Sequence, residues 1–323
     1  MLFRLSAIPN VQLFVNAPLA RYTRFEIGGP ARMLANVSSV DALQRTLQLS
    51  KDTGTPLAVI GGGTNLIVDD NGFPGVIVRY VSKNIEIDGT RVRVEAGAML
   101  QDLVDQTIDA GLQGLETMTG IPGWVGGAIY GNAGAYGHSI EESIESVRFF
   151  DGSKTVELCN NKLNFSYRNS IFKSSKDWVV LDAVLKLNPS DPAELRATAD
   201  GILKIRNEKY PPTMKCAGSI FKNLLLADLP PGVTVPEKVV REGKVPSAYF
   251  LEAAGAKGLA IGGLRVADYH ANLIYNEGGG TAKDLWHLIE TLKRGVREKF
   301  GVTLEEEVQS VGQVPDLSRA PIR

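Results

Sequence analysis

Nine glycines stand in the 27 residues from Gly111 to Gly137, and the same stretch holds Ile121, Trp124, Val125, Ile129 and Tyr136. Glycine at that density strips a segment of the side chains that cores are made of, while the large apolar residues exclude a disordered linker. Over Gly120–Gly137 the chain is expected to run as a loop that leaves backbone bare for a flat ligand and is anchored by its few large groups. A second cluster, Gly61-Gly62-Gly63-Thr64-Asn65, follows the short apolar strand Leu57-Ala58-Val59-Ile60. A sharp turn of this kind presents successive N–H groups to an anion such as a pyrophosphate. Taken alone, it reads equally well as an ordinary glycine-rich turn. It is neither G-x-x-x-x-G-K-[ST] nor G-x-G-x-x-G, so a mononucleotide kinase or a Rossmann dinucleotide domain is not supported.

Charge and composition narrow the field further. With 35 Lys+Arg against 36 Asp+Glu in 323 residues the formal charge is −1, which gives no general attraction for nucleic-acid phosphates. No apolar run approaches the roughly 20 residues that cross a bilayer, and no apolar signal stretch stands in Met1–Ala20. The expectation is a cytoplasmic chain with no membrane insertion. Two cysteines, Cys159 and Cys216, and three histidines, His138, His270 and His287, make no metal-ligand spacing and no disulfide framework. Any chemistry must come from other groups or from a bound cofactor.

Local signals place the elements. Ser39 is an N-cap for a helix to about Ser50, and Asn84 to Val94 alternates around Asp88-Gly89 as a hairpin does. Leu100, Leu103, Val104, Thr107 and Ile108 mark a helix ended by Gly111, and strand patterns lie at Ser146–Phe150, Thr155–Leu158 and Trp178–Lys186. A helix opens at Asp191 with Pro192 at its first position and stops before Pro211-Pro212, the best candidate for a domain boundary. Thr281 with Asp284 begins a last helix, with Gly301 just past its end, and the tail after Gly312 lacks periodicity and is expected to be loosely held.

Five segments, in order, carry a resemblance: Gly61–Asn65, Gly120–Gly137, Tyr167-Arg168-Asn169-Ser170-Ile171-Phe172-Lys173, Ala217-Gly218-Ser219-Ile220-Phe221-Lys222-Asn223 and Leu304-Glu305-Glu306-Glu307-Val308. Together they resemble the signature segments of the UDP-N-acetylenolpyruvoylglucosamine reductase family, in the shorter subclass that lacks an extra substrate-covering loop and its tyrosine. The resemblance implies an α+β fold: two FAD-binding α+β subdomains of the PCMH/vanillyl-alcohol-oxidase-like type and a C-terminal α+β substrate-binding domain. The corresponding division is 1–80, 81–210 and 211–312, with 313–323 as tail. It further implies non-covalent FAD, with NADPH as reductant and UDP-N-acetylglucosamine enolpyruvate as the substrate reduced to UDP-N-acetylmuramate for peptidoglycan synthesis.

Residue by residue, the resemblance assigns FAD contacts to Thr23, Gly61, Gly62, Gly63, Thr64, Asn65 and Leu66, and to Gly123, Gly126, Gly127, Ala128, Asn132, Ala133 and Gly134. Its catalytic groups are Ser219 as proton donor to carbon-2, Arg168 as the enolate clamp and Glu307 as a second enolate stabiliser. Tyr167, Lys209 and Asn223 fall at substrate contacts, although a helix C-terminus by itself also explains Lys209. A serine is a weak acid in water, so Ser219 needs positive charge nearby, for which Lys222 or Lys209 is the candidate. A second bare anion beside an enolate would oppose the reaction, so Glu307 is expected to donate a hydrogen bond there. Glu306 stands where the closing motif usually reads Leu-Glu-Pro-Glu-Val, which leaves three adjacent carboxylates. Counting back from Val308 selects Glu307. His270, in another family-like segment, is expected to be a hydrogen-bonded structural histidine. Another flavin-dependent oxidoreductase, or a flavin or sugar-nucleotide sensor without catalysis, would explain the glycine clusters but not the company of Arg168, Ser219 and Glu307.

Overall fold

The Ser39 hydroxyl accepts the Ala42 N–H at 3.2 Å and opens the helix Val40–Asp52, whose Leu43 is fully buried. Asp191 does the same for Pro192–Lys209, and Thr281 and Asp284 form a reciprocal capping box for Ala282–Phe300. These ends form where the spacing predicts them, because a cap satisfies otherwise orphaned N–H groups within one turn of the chain. The expected hairpin also forms, with its turn at Gly89-Thr90 rather than Asp88-Gly89: Asp88 stays in strand Ile85–Asp88 opposite Arg91 of Arg91–Glu95, and Gly89 takes φ 56°. The computed structural model describes residues 1–313, so all but the first residue of the expected tail lies outside the described residues.

The chain divides into two units. The first comprises Met1–Ala17, Ala31–Gly62 and Pro74–Pro212. It holds a four-stranded sheet in the order Val11–Pro18, Pro30–Val37, Phe73–Tyr80, Leu57–Val59, the last pair parallel. It also holds a five-stranded antiparallel sheet in the order Thr155–Cys159, Ile144–Phe150, Val179–Lys186, Arg91–Glu95, Ile85–Asp88. Val179–Lys186 is buried along most of its length, as a central strand must be. One of its buried groups is a carboxylate, Asp182, which is held by Arg93 and Arg148. Phe149, Phe172 and Trp178 form an aromatic cluster against this sheet.

The second unit comprises Pro18–Pro30, Gly63–Phe73 and the chain from Thr213 onward. Its main sheet runs Cys216–Ser219, His270–Asn276, Leu264–Ala267, Ala260–Ile261, and the helix Ala282–Phe300 buries Leu285, Leu288, Ile289, Leu292 and Val296. Strand Leu66–Val68 pairs in parallel with Gln309–Val311. The two short N-terminal segments are thus part of this unit: Asn276 donates to the Phe25 carbonyl at 2.9 Å, and the Asp70 carboxylate accepts the first N–H groups of the helix, from Ala282 and Lys283. The last passage of the chain between units follows Pro211-Pro212 directly. Mixed helix and antiparallel strand in both units make the fold α+β. No helix among the described residues is long and apolar enough to cross a membrane.

Candidate active site

The second glycine cluster is not loop throughout: Val125–Gly131 is an α-helix. Val125, Ala128 and Ile129 recur at i, i+3 and i+4 and are buried, which outweighs the poor helix propensity of the three glycines in the helix. The glycines differ in what they do. A Cβ on Gly126 would lie 2.9 Å from the Ala96 Cβ, so Gly126 lets this helix sit directly on the sheet. A Cβ on Gly127 or Gly131 would meet nothing within 4 Å. These two share a face at i and i+4, and that face is a side-chain-free strip suited to a planar ring system. Gly123 precedes the helix and accepts the Leu100 N–H.

Asn132 ends the helix in the left-handed conformation at φ 45°, with the Ala133 N–H returning to the Ala128 carbonyl. Its buried side-chain amide donates to the Ser166 carbonyl at 3.0 Å. That bond reaches the hairpin Ser166–Asn169, whose outer residues exchange both backbone hydrogen bonds and whose tip is Tyr167-Arg168. Arg168 occupies the third turn position at φ 54°, where glycine is the usual occupant. A side chain held in that conformation at a cost of about 1 kcal/mol or more points to a use for it. Its guanidinium donates to the Gly134 carbonyl at 3.0 Å, and Lys173 caps its own carbonyl. Arg168 and Tyr167 are thereby tied to the glycine segment. Lys209 is the last residue of Pro192–Lys209, with its ammonium 5.1 Å from the Tyr210 ring.

In the same unit, Gly61 and Gly62 leave strand Leu57–Val59 and lie on Trp124, whose Cδ1 would be 3.2 Å from a Cβ on Gly62. The Arg79 guanidinium covers the indole at 4.5 Å. Trp124 thereby spaces the two glycine clusters within this unit.

Gly63, Thr64, Asn65, Leu66 and Thr23 belong to the second unit. Gly63 has φ +70°, and a Cβ there would fall 1.7 Å from the Tyr22 carbonyl oxygen, so no other residue fits. The buried Thr23 hydroxyl is bonded to the backbone of Ile27 as donor and acceptor, closing the neighbouring turn. Thr64 and Asn65 lead into strand Leu66–Val68. The Asn65 amide donates to the Glu307 carbonyl at 3.0 Å, and the Asn65 carbonyl accepts the Gln309 N–H at 2.9 Å.

Ser219 ends strand Cys216–Ser219 opposite Leu273. Its neighbour Ile220 accepts the Glu307 N–H at 2.7 Å, so Ser219 and Glu307, 88 positions apart in the chain, are brought within a residue of each other along one backbone bridge. Asn223 follows, ahead of the short strand Leu224–Leu225. Lys222 is ion-paired with Glu305 and Lys293 with Glu306, the latter at 2.8 Å. Lys222 therefore does not offer Ser219 an unbalanced charge. Lys209, Arg168 and Tyr167 lie in the first unit and Ser219, Asn223 and Glu307 in the second.

Two residues that hold this arrangement have no signal of their own in the sequence, Lys293 and Asn272, whereas Trp124 is one of the large groups expected to anchor the glycine segment. Asn272 is 2% exposed, and its side chain accepts the Phe221 N–H at 2.9 Å while donating to the Phe221 carbonyl and the Ser247 hydroxyl, both at 2.8 Å. His270 accepts the Asn272 N–H through Nδ1, a structural hydrogen bond as expected.

Residues 31–160 match the model of an FAD binding domain, and residues 210–311 match that of the UDP-N-acetylenolpyruvoylglucosamine reductase C-terminal domain. The chain is 55% identical over 311 residues to the UDP-N-acetylenolpyruvoylglucosamine reductase of Solibacter usitatus, covering 96% of this chain and 100% of that one. It is 39% identical to the enzyme of the same name from Rubrobacter xylanophilus, over 92% of this chain and 94% of the other. The crystal structure of UDP-N-acetylenolpyruvylglucosamine reductase from Thermus caldophilus superposes with a TM-score of 0.72 at 31% identity, covering 93% of this chain and 98% of that one.

Proposed function

The chain belongs to the UDP-N-acetylenolpyruvoylglucosamine reductase family, and on that footing we propose that it reduces UDP-N-acetylglucosamine enolpyruvate to UDP-N-acetylmuramate with NADPH as reductant. FAD, when bound, supplies the hydride that carbon-3 of the enolpyruvyl group receives. The rest is alignment, charge and one proton, and falls to the protein.

The observation that carries this reading is the bridge that joins Glu307 to the residue beside Ser219, with Glu305 and Glu306 each engaged by a lysine. Of three consecutive carboxylates, the one selected by the family's motif is the one whose backbone N–H reaches the residue beside Ser219. Ser219 delivers the proton to carbon-2, and Glu307 donates a hydrogen bond to the charge developing on the substrate carboxylate. Arg168 holds that carboxylate in its planar fork, which a lysine would not reproduce. Tyr167, Lys209 and Asn223 contact the sugar nucleotide.

The residues that would hold FAD are Gly61 to Leu66 and Gly123, Gly126, Gly127, Ala128, Ala133 and Gly134, and the bare strip at Gly127 and Gly131 is suited to a planar ring. Thr23 and Asn132 act through the backbone they hold, since their side chains are bonded internally. We accordingly assign 1–80 and 81–210 to the flavin and 211–312 to the substrate; the FAD binding domain match at 31–160 favours a flavin role for the first part and the C-terminal domain match at 210–311 a separate last domain.

Purified yellow protein should bleach with NADPH under anaerobic conditions and regain its colour when the enolpyruvyl sugar nucleotide is added. Ser219→Ala should bleach normally and regain colour roughly 10²- to 10⁴-fold more slowly, the usual loss for a general acid. Equal slowing of both steps would sink the assignment of Ser219.

A further inference from the structure

Three adjacent carboxylates pose a selection problem, since rotating the backbone by one residue would present Glu306 where Glu307 is needed. Phe221 and Glu306 face each other as an isolated antiparallel bridge. Its two bonds run from the Lys222 N–H to the Glu305 carbonyl at 2.9 Å and from the Glu307 N–H to the Ile220 carbonyl at 2.7 Å. The backbone N–H of Glu306 itself takes no part in this pair. Besides these flanking bonds, residue 306 is held by its side chain. Lys293, on the helix Ala282–Phe300, places Nζ 2.8 Å from Glu306 Oε1 and 3.0 Å from Glu290 Oε1. The Lys293 side chain is 18% exposed and that of Glu306 24%, so the triad is partly withdrawn from water. An exposed pair would contribute little. Here removal of the shared cation leaves two half-buried anions facing each other, and the segment must move to rehydrate them.

We propose that Lys293 is a positioning residue for Glu307: by pinning Glu306 to the helix it locks the register of the Leu304–Val308 segment and decides which glutamate meets the substrate. This rests on the role given to Glu307 above. The helix is stiff and its apolar face buried, so the clamp is anchored in the core of the second unit. A proline at 306 would serve the same end differently: it fixes φ near −65°, needs no N–H, and removes the carboxylate that Lys293 must otherwise satisfy.

The test uses the FAD-loaded enzyme and follows bleaching by NADPH and colour recovery by substrate separately, together with hydrogen exchange at the Glu307 amide. Lys293→Met should leave bleaching unchanged, slow recovery about 10- to 100-fold, the scale of a small misplacement of a reacting group, and speed exchange at Glu307. Lys293→Arg should behave as wild type, and Lys293→Met with Glu306→Pro should regain most of the recovery rate and of the amide protection. Normal recovery and exchange in Lys293→Met, or a loss common to both steps that Glu306→Pro does not repair, would overturn the proposal. Glu307→Ala, which removes the donor, separates the two levels. If it recovers colour at the wild-type rate, the role of Glu307 falls and this inference with it; if it is slow while Lys293→Met is not, only the inference falls.

Discussion

Gly127→Ala should move two properties of this protein in opposite directions. The residue lies inside the helix Val125–Gly131 at an ordinary negative φ, and an added Cβ meets nothing within 4 Å. In the flavin-free protein the methyl group therefore encounters no strain and recovers the helix propensity lost to glycine, about 0.5–1 kcal/mol. For a domain of this size that corresponds to a rise in melting temperature of roughly 1–4 °C. If the isoalloxazine rests on this face, the same methyl holds it off the backbone, and FAD should bind at least about tenfold more weakly, or about 1.4 kcal/mol. Gly126→Ala is the internal control: its Cβ would stand 2.9 Å from that of Ala96, and overpacking there should destabilise the flavin-free protein by about 1–3 kcal/mol. Thermal unfolding of the apoprotein and a titration of flavin fluorescence read the two effects separately. Wild-type FAD affinity in Gly127→Ala would show that the ring lies elsewhere, and a lowered apoprotein melting temperature would show that the face is not bare.

Gly63→Ala would place its Cβ 1.7 Å from the Tyr22 carbonyl oxygen at φ +70°, so it should cost more than about 3 kcal/mol in denaturant unfolding. Asn272→Ala strips partners from both backbone groups of Phe221 and should cost about 2–3 kcal/mol; a loss below about 0.5 kcal/mol, the range of neutral surface changes, would show that water replaces the amide without penalty. Burial works to depress the pKa of Lys293, but the hydrogen bonds it donates to Glu306 and Glu290, together with the attraction of their charges, more than offset this and hold the ammonium above the ordinary lysine value. A raised folded value means the clamp's contribution is complete below about pH 10.4 and is lost as pH climbs through the raised value. Wild type should therefore lose more stability than Lys293→Met over that alkaline window, and parallel loss in both would refute the linkage.

The sequence by itself determined whatever one turn of chain can encode. Ser39, Asp191 and Thr281 cap helices because the hydroxyl or carboxylate and the N–H it satisfies are at most three residues apart, and the hairpin closes at Gly89 because its two strands are neighbours in the chain. The motifs around Arg168, Ser219 and Glu307 were legible in the same way, as short strings that resemble those of a family. Tertiary structure decided the remainder. Val125–Gly131 is a helix only because Val125, Ala128 and Ile129 find a core to enter, which a glycine-rich string does not announce. Leu66–Val68 pairs with Gln309–Val311, and Pro18–Pro30 joins the unit built from the C-terminal half, since a free strand edge or helix N-terminus recruits its partner from anywhere in the chain. For the same reason three adjacent glutamates, alike as letters, acquire different fates from lysines distant in sequence: Lys222 holds Glu305, Lys293 holds Glu306, and the third is joined by its N–H to the residue after Ser219.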